Sequence, residues 1–210
     1  MIQKEISEAL QKGDVALITE LVEKALSDGV PVQSVLNDGL LDGMGVIGSK
    51  WKNNQIFVPE VLVAARAMNK GMEILKPLLH EAGVESDRRV CLGTVKGDLH
   101  DIGKNLVKMM MEGRGLKVID IGIDAPPEKF VNTAIEQDCK IIACSSLLTS
   151  TMAEIKHVIE AAQAAGIRDK VKIMIGGAPV NQAFCDQVGA DIYTADAASA
   201  ADVAVSIFEA

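Results

Sequence analysis

Apolar positions recur along this chain with two different periods, and the change of period divides it. Up to about residue 82 they return every three to four residues, the spacing of amphipathic helices. Residues 2 to 11 form a first candidate helix. Asp14 stands as N-cap to a second, VALITELVEKALSDG, with apolar positions at Val15, Ile18, Leu21, Val22, Ala25 and Leu26 and a stop at Gly29. Pro31 opens a third that runs through VQSVLNDGLLDGMGVIGSKWK. Its Gly39, Gly43, Gly45 and Gly48 each cost a helix up to about 1 kcal/mol relative to Ala, so close backbone packing is the expected compensation. Pro59 opens a fourth, EVLVAARAMNKGMEILKPLLHEAG, with Pro77 as a candidate kink. Four helices joined by short connections predict an all-α four-helix bundle.

The polar, charged stretch GVESDRR, residues 83 to 89, is the predicted boundary, giving domains 1–87 and 88–210. After it come five short apolar runs: VCLGTV, KVIDIG, KIIACS, VKIMIGG and DIYTA. A helix follows each, starting near residue 102, at Pro127, near 151, at VNQAFCDQVG, and in the final stretch to Phe208. Strands that are apolar throughout and alternate with helices imply an α/β domain whose parallel sheet is covered on both faces. Five such units favour the flavodoxin-like, Rossmann-like order 2-1-3-4-5.

That order makes a spatial prediction, because ligands of such sheets sit at the carboxyl ends of the strands, at the switch between strands 1 and 3. The loop after strand 1 carries Gly97, Asp98, His100 and Gly103. The loop after strand 3 carries Ser145, Leu147, Thr149 and Thr151, and strand 4 ends in Gly176 and Gly177. One concave site would collect all three segments.

Composition narrows the chemistry. Of the 210 residues 49% are hydrophobic, yet no run approaches the roughly 18 consecutive apolar residues of a membrane span. The first residues read as an amphipathic helix rather than a signal peptide, so the protein is expected to be cytoplasmic, with no membrane partner. A net charge of -8, with no cluster of Lys and Arg, opposes nucleic-acid binding. Cys91, Cys139, Cys144 and Cys185 form no CxxC pair, which argues against a zinc site or a disulfide framework. Cys91 and Cys144 lie in apolar runs and are expected to be buried thiols.

An imidazole on such a loop can be a general base, a metal ligand or a satisfied structural group. Asp98, two residues before His100, can reach the ring nitrogen that faces away from a ligand, the outer hydrogen bond that orients metal-bound imidazoles. No second His, Cys or Glu stands at metal-ligand spacing, so a protein-only metal site is not expected. A single imidazole suits a metal already held by a macrocycle. The glycines would leave a slot for a large flat or elongated ligand, and GDLHDIG matches neither GxGxxG nor a Walker sequence.

Asp98-x-His100-x-x-Gly103, Ser145-x-Leu147 and Gly176-Gly177, separated by 41 and 28 residues, resemble the DxHxxG, SxL, GG signature of cobalamin-binding domains. The resemblance extends to the helical half, where LLDGMGVIGSKWKNNQIFVPEVLVAARAM is similar to the cap of cobalamin-dependent methionine synthase and of small corrinoid proteins in methyltransferase systems. It implies cobalamin bound base-off, as methylcobalamin, cob(I)alamin or a related corrinoid. His100 would be the lower axial ligand to cobalt, with Asp98 its hydrogen-bond partner and Thr151 the hydroxyl that continues the relay. Gly97, Leu99, Asp101, Ile102 and Gly103 would frame that ligand. Ser145, Leu147, Thr149, Gly176 and Gly177 would line the pocket for the cofactor's tail, near Tyr193 and Ala197. Trp51, where many relatives have Phe, and Val58 would shield the upper face. The implied role is that of a non-catalytic methyl carrier between a donor methyltransferase and an acceptor methyltransferase using tetrahydrofolate or a thiol, with a reductive activase as a further partner. A cobalamin-dependent regulator and the small subunit of an adenosylcobalamin mutase share the motifs and are the alternatives.

Overall fold

The computed structural model describes residues 1–81 and 87–209, without the side chain of His80. Residues 83–86 of the GVESDRR boundary therefore lie outside the described residues. The chain divides into two compact units, Met1–Ser86 with Gly113–Gly115, and Asp87–Glu112 with Leu116–Ala210.

The first unit is helical. α1 (Ile2–Lys12) ends in the left-handed Gly13, and α2 (Val15–Ser27) begins where the Asp14 carboxylate accepts the Leu17 N–H at 3.0 Å. The third rod is not the single α-helix that its sequence predicts. It consists of a turn, α3 (Val32–Ser34), a π-helical stretch (Val35–Leu41) and α4 (Asp42–Lys52). A π-stretch inserts an extra residue into the turn without breaking the rod, so apolar periodicity alone does not show it. The Ser7 hydroxyl on α1 donates to Asp42 Oδ2 at 2.8 Å, tying the end of the π-stretch to its neighbour. Close packing explains two of the four glycines. A Cβ at Gly39 would stand 3.0 Å from the Ile6 side chain, and one at Gly43 would stand 2.9 Å from the Ser7 carbonyl, whereas Gly45 faces open space. α5 (Val58–Glu81) starts one residue before Pro59 and continues past Pro77. Ile6, Leu10, Ile18, Val22, Leu40, Met44, Val61 and Leu75 are buried and form the core of this unit.

The second unit is the predicted α/β sheet. β1 (Arg89–Thr94), β2 (Lys117–Asp120), β3 (Ile141–Ser145), β4 (Lys172–Gly176) and β5 (Ile192–Tyr193) pair in parallel in the order β2-β1-β3-β4-β5. α6 (Ile102–Glu112), α7 (Pro127–Glu136), α8 (Met152–Ala164), α9 (Gln182–Val188) and α10 (Ala197–Glu209) connect and cover them. Phe130, Ile142, Ile155, Val158 and Ile173 fill the core between sheet and helices. All four cysteines are buried and free. Burial pushes the Cys139 thiol up to about 11 and Cys144 to about 12, so they serve as packing groups rather than nucleophiles. No described helix is long and apolar enough to cross a membrane.

Candidate functional site

Because β1, β3 and β4 are neighbours, their carboxyl ends bring the three sequence segments to one edge of the sheet. β1 runs out through Val95, whose N–H bonds to the Ser145 carbonyl at 3.0 Å. Gly97, at φ +79, then turns the chain so that Asp98 points inward while Leu99 and His100 face outward. α6 begins two residues later.

Asp98 organises the cluster. Its side chain is fully buried, an arrangement a carboxylate tolerates only when its oxygens are saturated with donors. Oδ1 accepts the His100 backbone N–H at 3.1 Å and lies 2.8 Å from His100 Nδ1. Oδ2 accepts the N–H groups of Leu147 at 2.7 Å and Leu148 at 3.3 Å, and the Thr151 hydroxyl at 3.0 Å. Burial by itself would raise this group. The backbone N–H groups of Leu147 and His100, the imidazole and the Thr151 hydroxyl outweigh it and hold the carboxyl well below the usual carboxylate range. Asp98 is thus an anion at any physiological pH. An anion that can only accept requires the proton of a neutral His100 to sit on Nδ1, which leaves the Nε2 lone pair on the outer edge. That edge is accessible, since the imidazole is 51% exposed.

The relay continues inward. Ser146 Oγ lies 2.9 Å from Thr151 Oγ1, and both residues are buried. The SxL spacing points to the adjacent Ser145 and carries no signal for Ser146. Ser145 instead closes β3 and contributes its carbonyl to Val95. Ser146 lies just beyond the end of β3, where the chain turns toward Thr151.

The other predicted residues fall into groups. Leu147, Thr149, Ile102, Gly103 and Asp101 are exposed around the rim, the last accepting Asn105 Nδ2 at 3.1 Å. Gly176 ends β4, and the Ser146 N–H donates to its carbonyl at 3.1 Å. Gly177 has φ +126, and a Cβ there would overlap the Ser146 carbonyl. Tyr193 and Ala197 lie one strand further along the same edge, on β5 and at the start of α10. Trp51, partly buried in the last turn of α4, and Val58, exposed at the start of α5, belong to the helical unit.

Gly177→Ala offers a sharp test of this packing. Its backbone suits glycine and its Cβ has no room, so the substitution should destabilise the sheet unit by about 3 kcal/mol or more in urea unfolding. A midpoint equal to that of the wild type would contradict the assigned contact with Ser146.

The donor set fits a metal already enclosed by a macrocycle. Among the described residues no group of three or more His, Cys, Asp or Glu could hold a metal ion, yet one imidazole presents an open nitrogen. Exposed Leu99, Ile102, Leu147 and Leu148 surround it with apolar surface suited to a flat ring system.

Comparison with known proteins identifies the ring. Two family models, both described as B12 binding domain, match residues 88–205 and 2–76. A corrinoid protein of Desulfitobacterium hafniense is 38% identical over 97% of this chain and 95% of its own length. Trimethylamine corrinoid protein 1 of Methanosarcina acetivorans is 41% identical over 89% of this chain and 87% of its own. The crystal structure of the methanol:cobalamin methyltransferase complex from Methanosarcina barkeri contains a chain that superposes with a TM-score of 0.89 at 30% identity, covering 99% of this chain and 80% of that one. The chain belongs to the cobalamin-binding corrinoid proteins of methyltransferase systems, and cobalamin is its cofactor.

Proposed function

We propose that this protein carries a methyl group from a donor methyltransferase to an acceptor methyltransferase, with His100 as the protein's ligand to the cobalt of cobalamin. The observation that carries the reading is the saturated Asp98 carboxylate, which fixes the ring of His100 with Nδ1 inward and Nε2 outward.

Bound cobalamin supplies the carbon–cobalt bond chemistry, while the protein binds, orients and shields it. Asp98 keeps the proton on Nδ1. Thr151 holds the opposite carboxylate oxygen and is itself backed by Ser146, so that charge can be rebalanced along His100, Asp98 and Thr151. Leu99, Asp101, Ile102 and Gly97 with Gly103 border the ligand. Ser145, Leu147, Thr149, Gly176 and Gly177, with Tyr193 and Ala197, would line the pocket for the cofactor's tail. Trp51 and Val58, in a helical domain of residues 1–87, would be the residues to shield the reactive face of the cofactor, with residues 88–210 as the cobalamin domain.

The relatives named for trimethylamine and the methanol methyltransferase complex support a methyltransferase as donor partner. The acceptor is an enzyme using tetrahydrofolate or a thiol, and a reductive activase restores the carrier. The test is a labelled methyl group. With a methylamine or methanol donor methyltransferase and its isotopically labelled substrate, label should co-purify with the corrinoid-loaded chain. It should leave on addition of an acceptor methyltransferase and thiol. Label that associates but never leaves would contradict the carrier role.

A further inference from the structure

The loop that presents His100 is gripped from a second side, by the turn after β2. Asp124 sits in that turn at φ 49, a left-handed conformation that aspartate adopts only occasionally. From there it makes two contacts with the His100 loop at once. Its Oδ1 accepts the Gly97 N–H at 2.7 Å, and its own N–H donates to the Asp98 carbonyl at 3.0 Å. At the far end of the loop the buried Thr94 hydroxyl donates to the His100 carbonyl at 2.9 Å.

Thr94 and the turn form one frame. Thr94 N–H donates to the Gly122 carbonyl at 2.9 Å, and the Thr94 carbonyl accepts the Ala125 N–H at 3.0 Å. Asp120 locks the turn from the other direction: its Oδ1 accepts the Gly122 N–H at 2.9 Å, and its carboxylate receives both bonds from the buried Lys104, at 2.6 and 2.7 Å. Lys104 lies in the first turn of α6, immediately after the loop. The chain therefore leaves β1, presents His100, and is fixed before and after by the same turn.

We infer that Asp124 is a positioning residue for His100. Asp98 determines how the ring is turned, but a carboxylate can do so only if its own backbone is fixed, and Asp124 bonds to the Gly97 N–H just before it and to the Asp98 carbonyl itself. The left-handed backbone is what aims both its N–H and its carboxylate at the loop, in line with the tendency of strained residues to accumulate at functional sites. The inference rests on the reading of His100 as the cobalt ligand.

Two substitutions at Asp124 separate its roles. Glycine accepts the left-handed backbone and removes the carboxylate, while asparagine tolerates that backbone and keeps an acceptor oxygen. In the full-length chain without corrinoid, the Nδ1 and Nε2 nitrogen-15 resonances of His100 should move toward a tautomer mixture in Asp124→Gly and stay near wild type in Asp124→Asn. His157, on α8, is the internal control and should not move in either. Loading with cobalamin should then be about tenfold weaker in Asp124→Gly, the low end for loss of an outer partner of a metal ligand. Unchanged His100 resonances in Asp124→Gly, or equal displacement of His100 in both variants, would overturn the assignment. So would displacement of His157 together with His100, which would mark a general loosening of the fold. Should His100 prove not to bind cobalt, the resonances of the unloaded chain still decide whether Asp124 sets its ring.

Discussion

His100→Ala should leave the sheet unit folded and remove the protein nitrogen from the cobalt, weakening corrinoid binding by at least 100-fold. The stability side follows from exposure and partners. The imidazole is half exposed, and Asp98 would still accept the backbone N–H of residue 100, the N–H groups of Leu147 and Leu148, and the Thr151 hydroxyl. A surface truncation that leaves no buried group unpaired costs about 1 kcal/mol or less. The binding side follows from rank. Loss of an outer hydrogen-bond partner of a metal ligand typically costs about 10- to 100-fold in affinity or activity, so loss of the ligand should exceed the upper end. Spectroscopic titration with cobalamin, beside thermal unfolding of the unloaded chain, measures both. Affinity within twofold of the wild type would rule out axial ligation by this residue.

Asp98→Asn should produce the opposite balance, a large loss of stability together with a misdirected ring. The carboxylate accepts on both oxygens, from His100 on one side and from Leu147, Leu148 and Thr151 on the other. An amide has one acceptor oxygen and one NH2 group. If the NH2 faces Leu147, buried donors oppose each other, at about 1–3 kcal/mol for each unsatisfied group. If it faces His100, Nδ1 must become the acceptor, the proton moves to Nε2, and the outward lone pair is lost.

The pH dependence gives an independent reading of the same residue. The folded-state pKa of Asp98 is depressed, so its stabilisation is complete above the ordinary value of 3.8 and is lost as pH falls below that value toward the lower folded one. Asp98→Asn should therefore be less stable than the wild type by a constant amount at neutral pH. The gap should narrow below about pH 4. A gap that stays constant down to pH 2 would contradict the depressed carboxylate.

What could be read from the chain in advance follows the range of the interactions. Helices and strands were legible because each is written in a local period, and the parallel order followed from the alternation of the two. The π-stretch at Val35–Leu41 was not, because one inserted residue leaves the apolar faces of the rod nearly in place. At the site, Asp98 and His100 were legible as a pair two residues apart, and the spacing of the glycine and serine motifs led to the family. The partners that saturate Asp98 lie 49 to 53 residues away, and the bond from Gly97 to Asp124 spans 27. Contacts of that range depend on strand register and on the exact path of two loops. This is why Asp124 gave no signal.

If His100 is the protein's ligand, its imidazole, and not the cofactor's own dimethylbenzimidazole, stands under the cobalt. Electron paramagnetic resonance of the protein loaded with cobalamin and reduced to Co(II) tests it most directly. With protein histidines labelled in nitrogen-15 and the cofactor unlabelled, the axial nitrogen splitting should change from a triplet to a doublet, and the doublet should vanish in His100→Ala. A triplet that survives histidine labelling would rule out His100 as the cobalt ligand.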